Sequence, residues 1–388
     1  MLALPLPTPL RVRATPRFAG RGVTVAFLDS GFYPHADLTR PRNRILAHID
    51  ATRPVPVERK RFATPRVSSW HGLMTSCVAA GNGYTSTRTP GRLAPVGFDF
   101  VYRGPADQAN LVLVKTGNVR GRRIGEAAIG RALRWVIDNQ QAYGIRIVNI
   151  SLGGDHVSDG RASELDELVD LASRRGLLVV AAIGNDGAHQ VRPPASATGA
   201  IAVGGLLDHN STDPERWQLW HSNYGPGEAG LRKPDLIAPA EYLAAPMLPR
   251  THTHNEALFL WRLVRASDPE LEALMQTDFA MARISRATAR LPLDELRWVI
   301  WSRMRDEKFV HPHYQHVDGT SMAAPIVSAV LAQMLEANPA LQPRDAREIL
   351  LGTAERLPRV AAERQGAGVV RADKAVAAAR SRRREDIW

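Results

Sequence analysis

The sequence predicts an α/β protein with a mostly parallel central sheet and helices on both faces. Short β-branched, apolar runs alternate with segments of helical periodicity, and this alternation is typical of parallel strands joined by crossover helices. We expect strands at residues 23–28, 111–115, 145–152, 177–183 and 201–205. The intervening segments 124–141 and 163–175 are predicted to be helices.

Composition bounds the class of protein and its partners. The 388 residues, 44% of them hydrophobic and 23% charged, are enough to bury a sizeable core in one large domain or two smaller ones. The sequence contains no run of 18 apolar residues, so we expect no transmembrane helix. The net charge of +11 would suit nucleic acid or anionic lipid, but the arginines are scattered and no nucleic-acid-binding motif accompanies them. We therefore expect a basic solvated surface and neither nucleic acid nor a membrane as partner.

Four polar residues occupy positions that suit catalysis. Asp29 ends the first predicted strand and Asn185 follows the fourth, so both lie at the carboxyl edge of the sheet, where parallel α/β proteins place their sites. His71 and Ser321 each begin a segment predicted to be helical. Ser321 lies between Gly319, which leaves room for substrate, and an apolar run, 326–335, that reads as a buried helix.

Together these residues supply what acyl transfer to a serine needs. Ser321 would be the nucleophile, and His71 would take its proton because imidazole titrates near neutrality. Asp29 would hold the imidazole tautomer, and Asn185 would donate to the oxyanion. Each residue alone has an ordinary explanation as a turn, a cap or a helix start; four in order favour catalysis.

The motifs around these residues resemble those of the subtilase family of serine endopeptidases, which also has the order Asp, His, Ser. They are Val25-Ala26-Phe27-Leu28-Asp29-Ser30-Gly31, His71-Gly72-Leu73-Met74-Thr75-Ser76, Asn149-Ile150-Ser151-Leu152-Gly153-Gly154, Ala181-Ala182-Ile183-Gly184-Asn185-Asp186 and Gly319-Thr320-Ser321-Met322-Ala323-Ala324-Pro325. The resemblance covers about residues 20–240 and 317–380. It implies a three-layer subtilisin-like fold and an acyl-enzyme mechanism on a protein or peptide substrate, with no cofactor for catalysis.

The resemblance also implies roles in substrate binding. Ser151, Leu152 and Gly153 would pair with the substrate backbone, and Ala182 and Gly184 would line a roomy apolar pocket for the residue before the cleaved bond. The loop 120–123 carries three arginines and either favours acidic substrates or is simply solvated. Many family members bind structural calcium, but no loop here is dense in Asp and Asn, so calcium has no support from the sequence.

The catalytic domain is expected to comprise residues 1–240 and 318–388, interrupted by a helical insertion at 241–317. Ser267-Asp268-Pro269-Glu270 has the spacing of a helix start, and residues 296–304 form an amphipathic run. Residues 91–103 read as an enlarged loop.

Residues 1–20 are expected to form an extension that leaves no room for an inhibitory prodomain before Asp29. With no secretory signal and a single cysteine, Cys77, a cytoplasmic location is expected. The sequence gives no indication of oligomeric state.

Several alternatives remain open at this point. The insertion would restrict or regulate substrate access, or it would cover the cleft and make the protein a latent, partner-activated module. A nucleic-acid-linked protease is a third alternative, suggested by charge alone. His311, His313 and His316 have a spacing that suits zinc, but no cysteine or carboxylate completes the set, so a polar loop is favoured. Cys77 is expected to be a small core residue.

Overall fold

The computed structural model describes residues 4–88, 101–117 and 125–382. Most of the enlarged loop expected at 91–103, and all of the arginine loop at 120–123, lie outside the described residues. The described strands are β1 Thr24–Asp29, β2 Ile45–Asp50, β3 Val57–Glu58, β4 Asn110–Lys115, β5 Ile145–Ile150, β6 Leu178–Ala182, β7 Ala200–Leu207, β8 Gln218–Leu219, β9 Gly225–Pro226, β10 Arg232–Lys233, β11 Leu236–Pro239, β12 Leu243–Pro246, β13 Phe309–His311 and β14 Tyr314–Val317.

The α-helices lie between and after these strands. They are α1 Thr8–Arg11, α2 Ala36–Thr39, α3 Trp70–Ala80, α4 Glu126–Tyr143, α5 Glu164–Arg174, α6 His252–Arg265, α7 Asp268–Thr277, α8 Leu293–Asp306, α9 Thr320–Ala337, α10 Pro343–Gly352, α11 Ala362–Gln365 and α12 Ala372–Ser381.

The central sheet has the strand order β11-β7-β6-β5-β1-β4-β2-β3, with β8 paired to β7. The seven strands from β11 to β2 in this order are parallel, and only the short strands β3 and β8 run antiparallel. The five strands and two helices expected from the sequence are confirmed, with ends that differ by at most three residues. β2 and β11 were not predicted.

Each face of the sheet carries its own apolar core. Along β1, Val25 and Phe27 point into the core shared with α3, α9 and α12, whereas Ala26 and Leu28 point into the core shared with α4 and α5. This division follows from the alternation of side chains along a strand. The three-layer α/β fold is thus confirmed, and β1 is buried on both faces with Asp29 at its carboxyl end.

Helix α9 is long, apolar and almost entirely buried. By length and composition it could cross a membrane, but 83% of its apolar window is buried inside the protein. A central core helix passes the same test, so this helix is no evidence for a membrane span. Its N-terminus carries Ser321, and its body packs against α3, which carries His71.

The N-terminal extension is anchored to the rest of the fold. The guanidinium of Arg11 is buried and donates to the carboxylate of Asp208 at 2.5 and 2.6 Å and to the carbonyl of Tyr242 at 2.9 Å. Further along, the Glu336 carboxylate accepts hydrogen bonds from the backbone amides of residues 19–21. The extension is therefore packed against the strand ends near the start of the insertion.

The segment 241–317 contains the expected helices and, in addition, a small sheet. Helices α6, α7 and α8 enclose a separate apolar core that includes Leu260, Leu271 and Ile300. Ser267 precedes α7 as expected, although its side chain makes no capping hydrogen bond. Strands β12, β14 and β13 form an antiparallel sheet that the sequence did not predict.

Histidines and one tyrosine join the segment 241–317, which we call the insertion, to the rest of the fold. The Tyr314 hydroxyl donates to the fully buried carboxylate of Asp37 at 2.5 Å. His254 Nε2 and His313 Nδ1 share a hydrogen bond of 2.9 Å, and the rings of His311 and His313 lie 5.8 Å apart. His35 is buried and caps α2, because its Nδ1 accepts a hydrogen bond from the backbone amide of Asp37. One bridging proton suffices for the His254–His313 pair, so this interface suits neutral histidines.

Acid should therefore weaken the fold at this interface. Burial, with neighbouring histidines, lowers the pKa of His254 from 6.5 to about 4 and that of His311 to about 3. Such residues stabilise the fold fully above pH 6.5 and progressively less as the pH falls toward the folded pKa. We expect His311→Gln to remove about 2 kcal/mol of the acid-induced loss of stability at pH 5, measured by denaturant unfolding at pH 7.5 and pH 5. His209→Asn, at an exposed histidine, is the control; equal acid sensitivity of all three proteins would contradict the prediction.

Candidate active site

The carboxylate of Asp29 is buried and fully hydrogen-bonded. Its Oδ1 accepts from the Ser30 amide at 2.6 Å and from His71 Nδ1 at 2.8 Å, and its Oδ2 accepts from the Thr75 hydroxyl at 3.1 Å. The Asp29 carbonyl accepts from both the amide and the hydroxyl of Thr116. A buried carboxylate is tolerated when donors surround it in this way, and these hydrogen bonds hold it in one orientation.

His71 is the second residue of α3, and its ring is aligned by Asp29. Helix α3 approaches the loop after β1 so closely that a Cβ on Gly72 would lie 2.2 Å from the carbonyl oxygen of Gly31. Glycine at this position therefore brings His71 within reach of Asp29. The side chain of His71 keeps 20% of its surface exposed, so the ring is partly accessible to solvent.

The electrostatics of the pair favour a protonated His71. Burial alone would lower the pKa of His71, but the charge of Asp29 and its hydrogen bond outweigh burial and raise the pKa above the ordinary 6.5. This is the response of a base that must hold a proton transiently. Thr75, which completes the surroundings of the carboxylate, was not singled out from the sequence. It lies four residues after His71, and this helical spacing places both side chains on one face.

Ser321 is the second residue of α9 and is partly exposed. Its Oγ donates to the Ser151 carbonyl at 3.2 Å, and Ser151 Oγ donates to the Ser321 carbonyl at 2.9 Å. Asn149 in turn donates to Ser151 Oγ and accepts from Ser328 in the body of α9. These reciprocal bonds fix the serine loop to the end of β5. In this structure Ser321 Oγ is bonded to Ser151 and not to His71.

Asn185 is tied to the same loop as Ser321. Its Oδ1 accepts from the amide of Thr320 at 2.9 Å and from the Thr320 hydroxyl at 2.8 Å. Because two donors meet this atom, it is the oxygen of the side-chain amide, and Nδ2 is left to donate elsewhere. No described residue accepts from Nδ2. Thr320, which the sequence analysis did not select, thus presets the direction of the amide.

The loop that carries Asn185 is itself held in place. Gly184 has φ +114°, and a Cβ there would lie 2.6 Å from Asn223 Nδ2, so only glycine fits. Asn223 Oδ1 accepts from the amides of Asp186 and Ala188. The Gly184 amide donates to the Thr320 hydroxyl at 3.2 Å. A donor fixed before substrate arrives costs no reorganisation during the reaction.

The residues expected to bind substrate divide into two groups. Leu152 and Gly153 follow β5, and a Cβ on Gly153 would meet no atom within 4 Å, so this edge is open. Ser151 is buried and holds the serine loop through its side chain. Ala182 ends β6 with 7% of its surface exposed, near Gly184. The pairing of these residues with substrate stays a prediction.

The remaining candidates from the sequence take no part in this site. Among the described residues, no group of three or more His, Cys, Asp or Glu side chains is arranged to hold a metal. His311 and His313 belong to the interface between insertion and catalytic domain, and His316 lies 3.6 Å from Asp318. Cys77 is buried in α3, and burial raises its thiol pKa well above the usual value, as suits an unreactive core residue.

The geometry defines a class of protein. A buried carboxylate aligns a histidine, and the residue before a helix-borne serine is hydrogen-bonded to the side chain of a preset amide donor. These are the groups that acyl transfer to a serine requires, and they lie at the carboxyl edge of a parallel sheet. Comparison with known proteins then gives the family. The subtilase (peptidase S8) family model matches residues 20–369, and the chain belongs to this family of serine proteases, which need no cofactor for catalysis.

Individual relatives are consistent with the family. The serine protease AprX of Bacillus subtilis (strain 168) is 28% identical over 374 residues, which span 94% of this chain and 68% of AprX. Other curated alkaline proteases and subtilisins are matched over 46% or 64% of their length. Among solved structures, fervidolysin of Fervidobacterium pennivorans superposes with a TM-score of 0.61 at 18% identity, over 95% of this chain and 45% of that one. The prenylagaramide maturation protease PagA has a TM-score of 0.55 at 18% identity, over 95% of both chains.

The hydrogen bonds that hold the Asn185 side-chain amide predict a large loss of turnover in one variant and a smaller loss in another. Asn185→Ala should lower kcat by about 10² to 10³ through loss of one oxyanion donor. Thr320→Val should lower kcat by a smaller factor, since the amide remains but loses one of its two restraints. Steady-state kinetics on a peptide ester, with KM measured alongside, checks both. Thr353→Val is a matched control, because this hydroxyl bonds only to the backbone of α10. A kcat of Asn185→Ala equal to wild type would contradict the assignment.

Proposed function

We propose that the chain cleaves peptide bonds of a protein or peptide substrate through Ser321, His71 and Asp29, and that cleavage is selective. The observation that carries this proposal is the bidentate contact of His71 Nδ1 with Asp29, at 2.8 and 2.9 Å. It leaves Nε2 as the free base of the ring.

Each step of the reaction has a residue to perform it. Nε2 of His71 takes the proton of Ser321 as Oγ attacks the substrate carbonyl, and later returns it to the leaving amine. For this, Oγ must turn from the Ser151 carbonyl toward His71, a rotation about χ1 that substrate binding can drive. Asn185 Nδ2 and the Ser321 amide receive the oxyanion. Water then attacks the acyl-enzyme carbonyl and gives its proton to Nε2 of His71; the bond to Ser321 Oγ breaks, and Oγ takes that proton as the acid product leaves.

We propose further that the insertion shapes access to the cleft. Its strand β14 leads directly into the serine loop, and Lys308 of the insertion pairs with Asp318 at 2.6 Å, three residues before Ser321. Asp318 also accepts from the amide of Tyr242 at 2.8 Å. Contacts so close to the nucleophile support a role in selectivity. One of the structural neighbours is named as a maturation protease. This name indicates a processing enzyme and is compatible with selective cleavage by this chain.

A latent module is the second candidate function. The insertion is the feature that favours it, but the partial exposure of His71 and Ser321 supports an open site instead. The cytoplasmic location remains a proposal that rests on the single cysteine. Nucleic acid has no role in the proposed reaction.

Replacing the nucleophile tests the proposal. Ser321→Ala should abolish hydrolysis of casein and peptide esters, by a factor of about 10⁶, because the acyl-enzyme cannot form. Labelling by a fluorophosphonate probe should disappear in the same variant, while circular dichroism and the melting temperature stay near those of wild type. Ser381→Ala is the control for probe specificity, because among the described residues this hydroxyl donates only to backbone carbonyls of α12.

Two outcomes would separate the candidates. Activity that persists in Ser321→Ala would reject the triad. A folded wild-type protein that neither cleaves nor takes the probe, and that gains both after a cut within 241–317, would favour the latent module.

A further inference from the structure

A cavity of about 670 Å³ lies at the outer edge of the central sheet, away from the residues assigned to catalysis. It is bounded by β2, by the segment 58–65 that leads toward His71, and by Arg250 at the start of the insertion. Arg250 closes one side, since its guanidinium donates to the Ala63 carbonyl at 2.7 Å. The size suits a few side chains of a peptide rather than a single small ion.

The wall of this cavity is strongly basic. Arg59, Lys60, Arg61 and Arg250 line it, against one acidic residue, Glu58. Arg59 is paired with Asp50 at 3.2 Å. Lys60 and Arg61 are exposed, and the described part of the chain gives neither of them an ion-pair partner. Two cations are therefore free to pair with a ligand.

A buried histidine with no hydrogen-bond partner lines the same cavity. His48 is 7% exposed and its ring stacks on Phe62, with centroids 3.9 Å apart. Neither ring nitrogen has a partner at hydrogen-bond geometry among the described residues. Burial lowers the pKa of His48 to about 4, so the ring is neutral near pH 7 and carries one N–H donor. Both ring nitrogens are shielded from solvent in this structure, so the ring contributes a neutral surface to the cavity.

The cavity is within reach of a bound substrate. Pro34 lines it and is five residues from Asp29, and Pro65 lines it and is six residues from His71. At no more than about 3.6 Å per residue, six residues span at most about 22 Å. An extended peptide covers the same distance in about six residues of its own.

We propose that this cavity binds a carboxylate-bearing segment of the peptide substrate, so that the protease prefers acidic residues a few positions from the cleaved bond. Lys60 and Arg61 supply the charge, and the neutral rings of His48 and Phe62 line the cavity beside them. The inference rests on the proposed proteolytic function and deepens it by naming a class of substrate. It places the preference on the segment before His71, separate from the arginine loop at 120–123.

The test compares peptides that differ only in charge. Starting from one neutral peptide that the enzyme cleaves, Asn is placed at each position within six residues of the cleaved bond, and then Asp at the same position. We expect Asp to raise kcat/KM by about fivefold over Asn at one or two positions, as for a favourable exposed ion pair. Added salt should reduce this advantage.

A double variant assigns the preference to the cavity. In Lys60→Gln/Arg61→Gln the advantage of Asp should fall to about onefold, while the neutral peptide is cleaved as by wild type. Arg134→Gln/Arg175→Gln removes the same charge at exposed positions on α4 and after α5 and should keep the advantage. Failure of the proposed function would appear differently, as no cleavage of the neutral peptide and no fluorophosphonate labelling.

Three results would overturn the inference. They are the absence of any Asp advantage in wild type, an advantage that survives in Lys60→Gln/Arg61→Gln, and an equal loss in the control variant. Inorganic phosphate, compared with chloride at equal ionic strength, distinguishes the source of the anion. Inhibition specific to phosphate in the absence of any Asp advantage would assign the cavity to a free anion instead of a substrate carboxylate.

Discussion

The active site depends on one buried charge, the carboxylate of Asp29. The strand that carries it is enclosed on both faces of the sheet, so the carboxylate has no access to bulk water and must find its donors within the fold. The Ser30 amide, Thr75 and His71 provide them. This requirement fixes the approach of α3, which is possible only because Gly72 lets the helix meet the loop after β1. The orientation of the imidazole therefore follows from its role as a hydrogen-bond donor to the Asp29 carboxylate.

A second set of hydrogen bonds places the nucleophile relative to that pair. Ser151 and Ser321 bond to each other across β5 and α9, and Thr320 binds Asn185 from the loop after β6. The ends of β1, β5 and β6 and the starts of α3 and α9 therefore lie close together. The positions of the aspartate and the histidine depend on the packing of α3, whereas those of the serine and the amide donor depend on α9. The two helices pack against each other, so the core joins both halves of the site.

Much of this could be predicted from the sequence, and the parts that could not share a physical reason. Asp29 and Asn185 were found because they follow apolar runs, and His71 and Ser321 because they begin helices. Thr75 and Thr320 were missed, since each acts through a hydrogen bond whose partner lies far along the chain. β12 pairs with β14 across about seventy residues and each has only four, too short to show a pattern. The histidines near 311 had a metal-like spacing, yet the partner of His313 is His254, in another element. Local patterns reveal elements; they do not reveal which distant polar groups meet.

The central claim, that Asp29 fixes and charges His71, is tested most directly by proton NMR of the His71 ring. We expect a strongly low-field Nδ1–H resonance at low pH, from the proton shared with the carboxylate, and a His71 pKa above the ordinary 6.5. In Asp29→Asn the resonance should move upfield and the pKa should fall, because burial then acts on the imidazole without a compensating charge. An unchanged resonance and an unchanged pKa in Asp29→Asn would contradict the account.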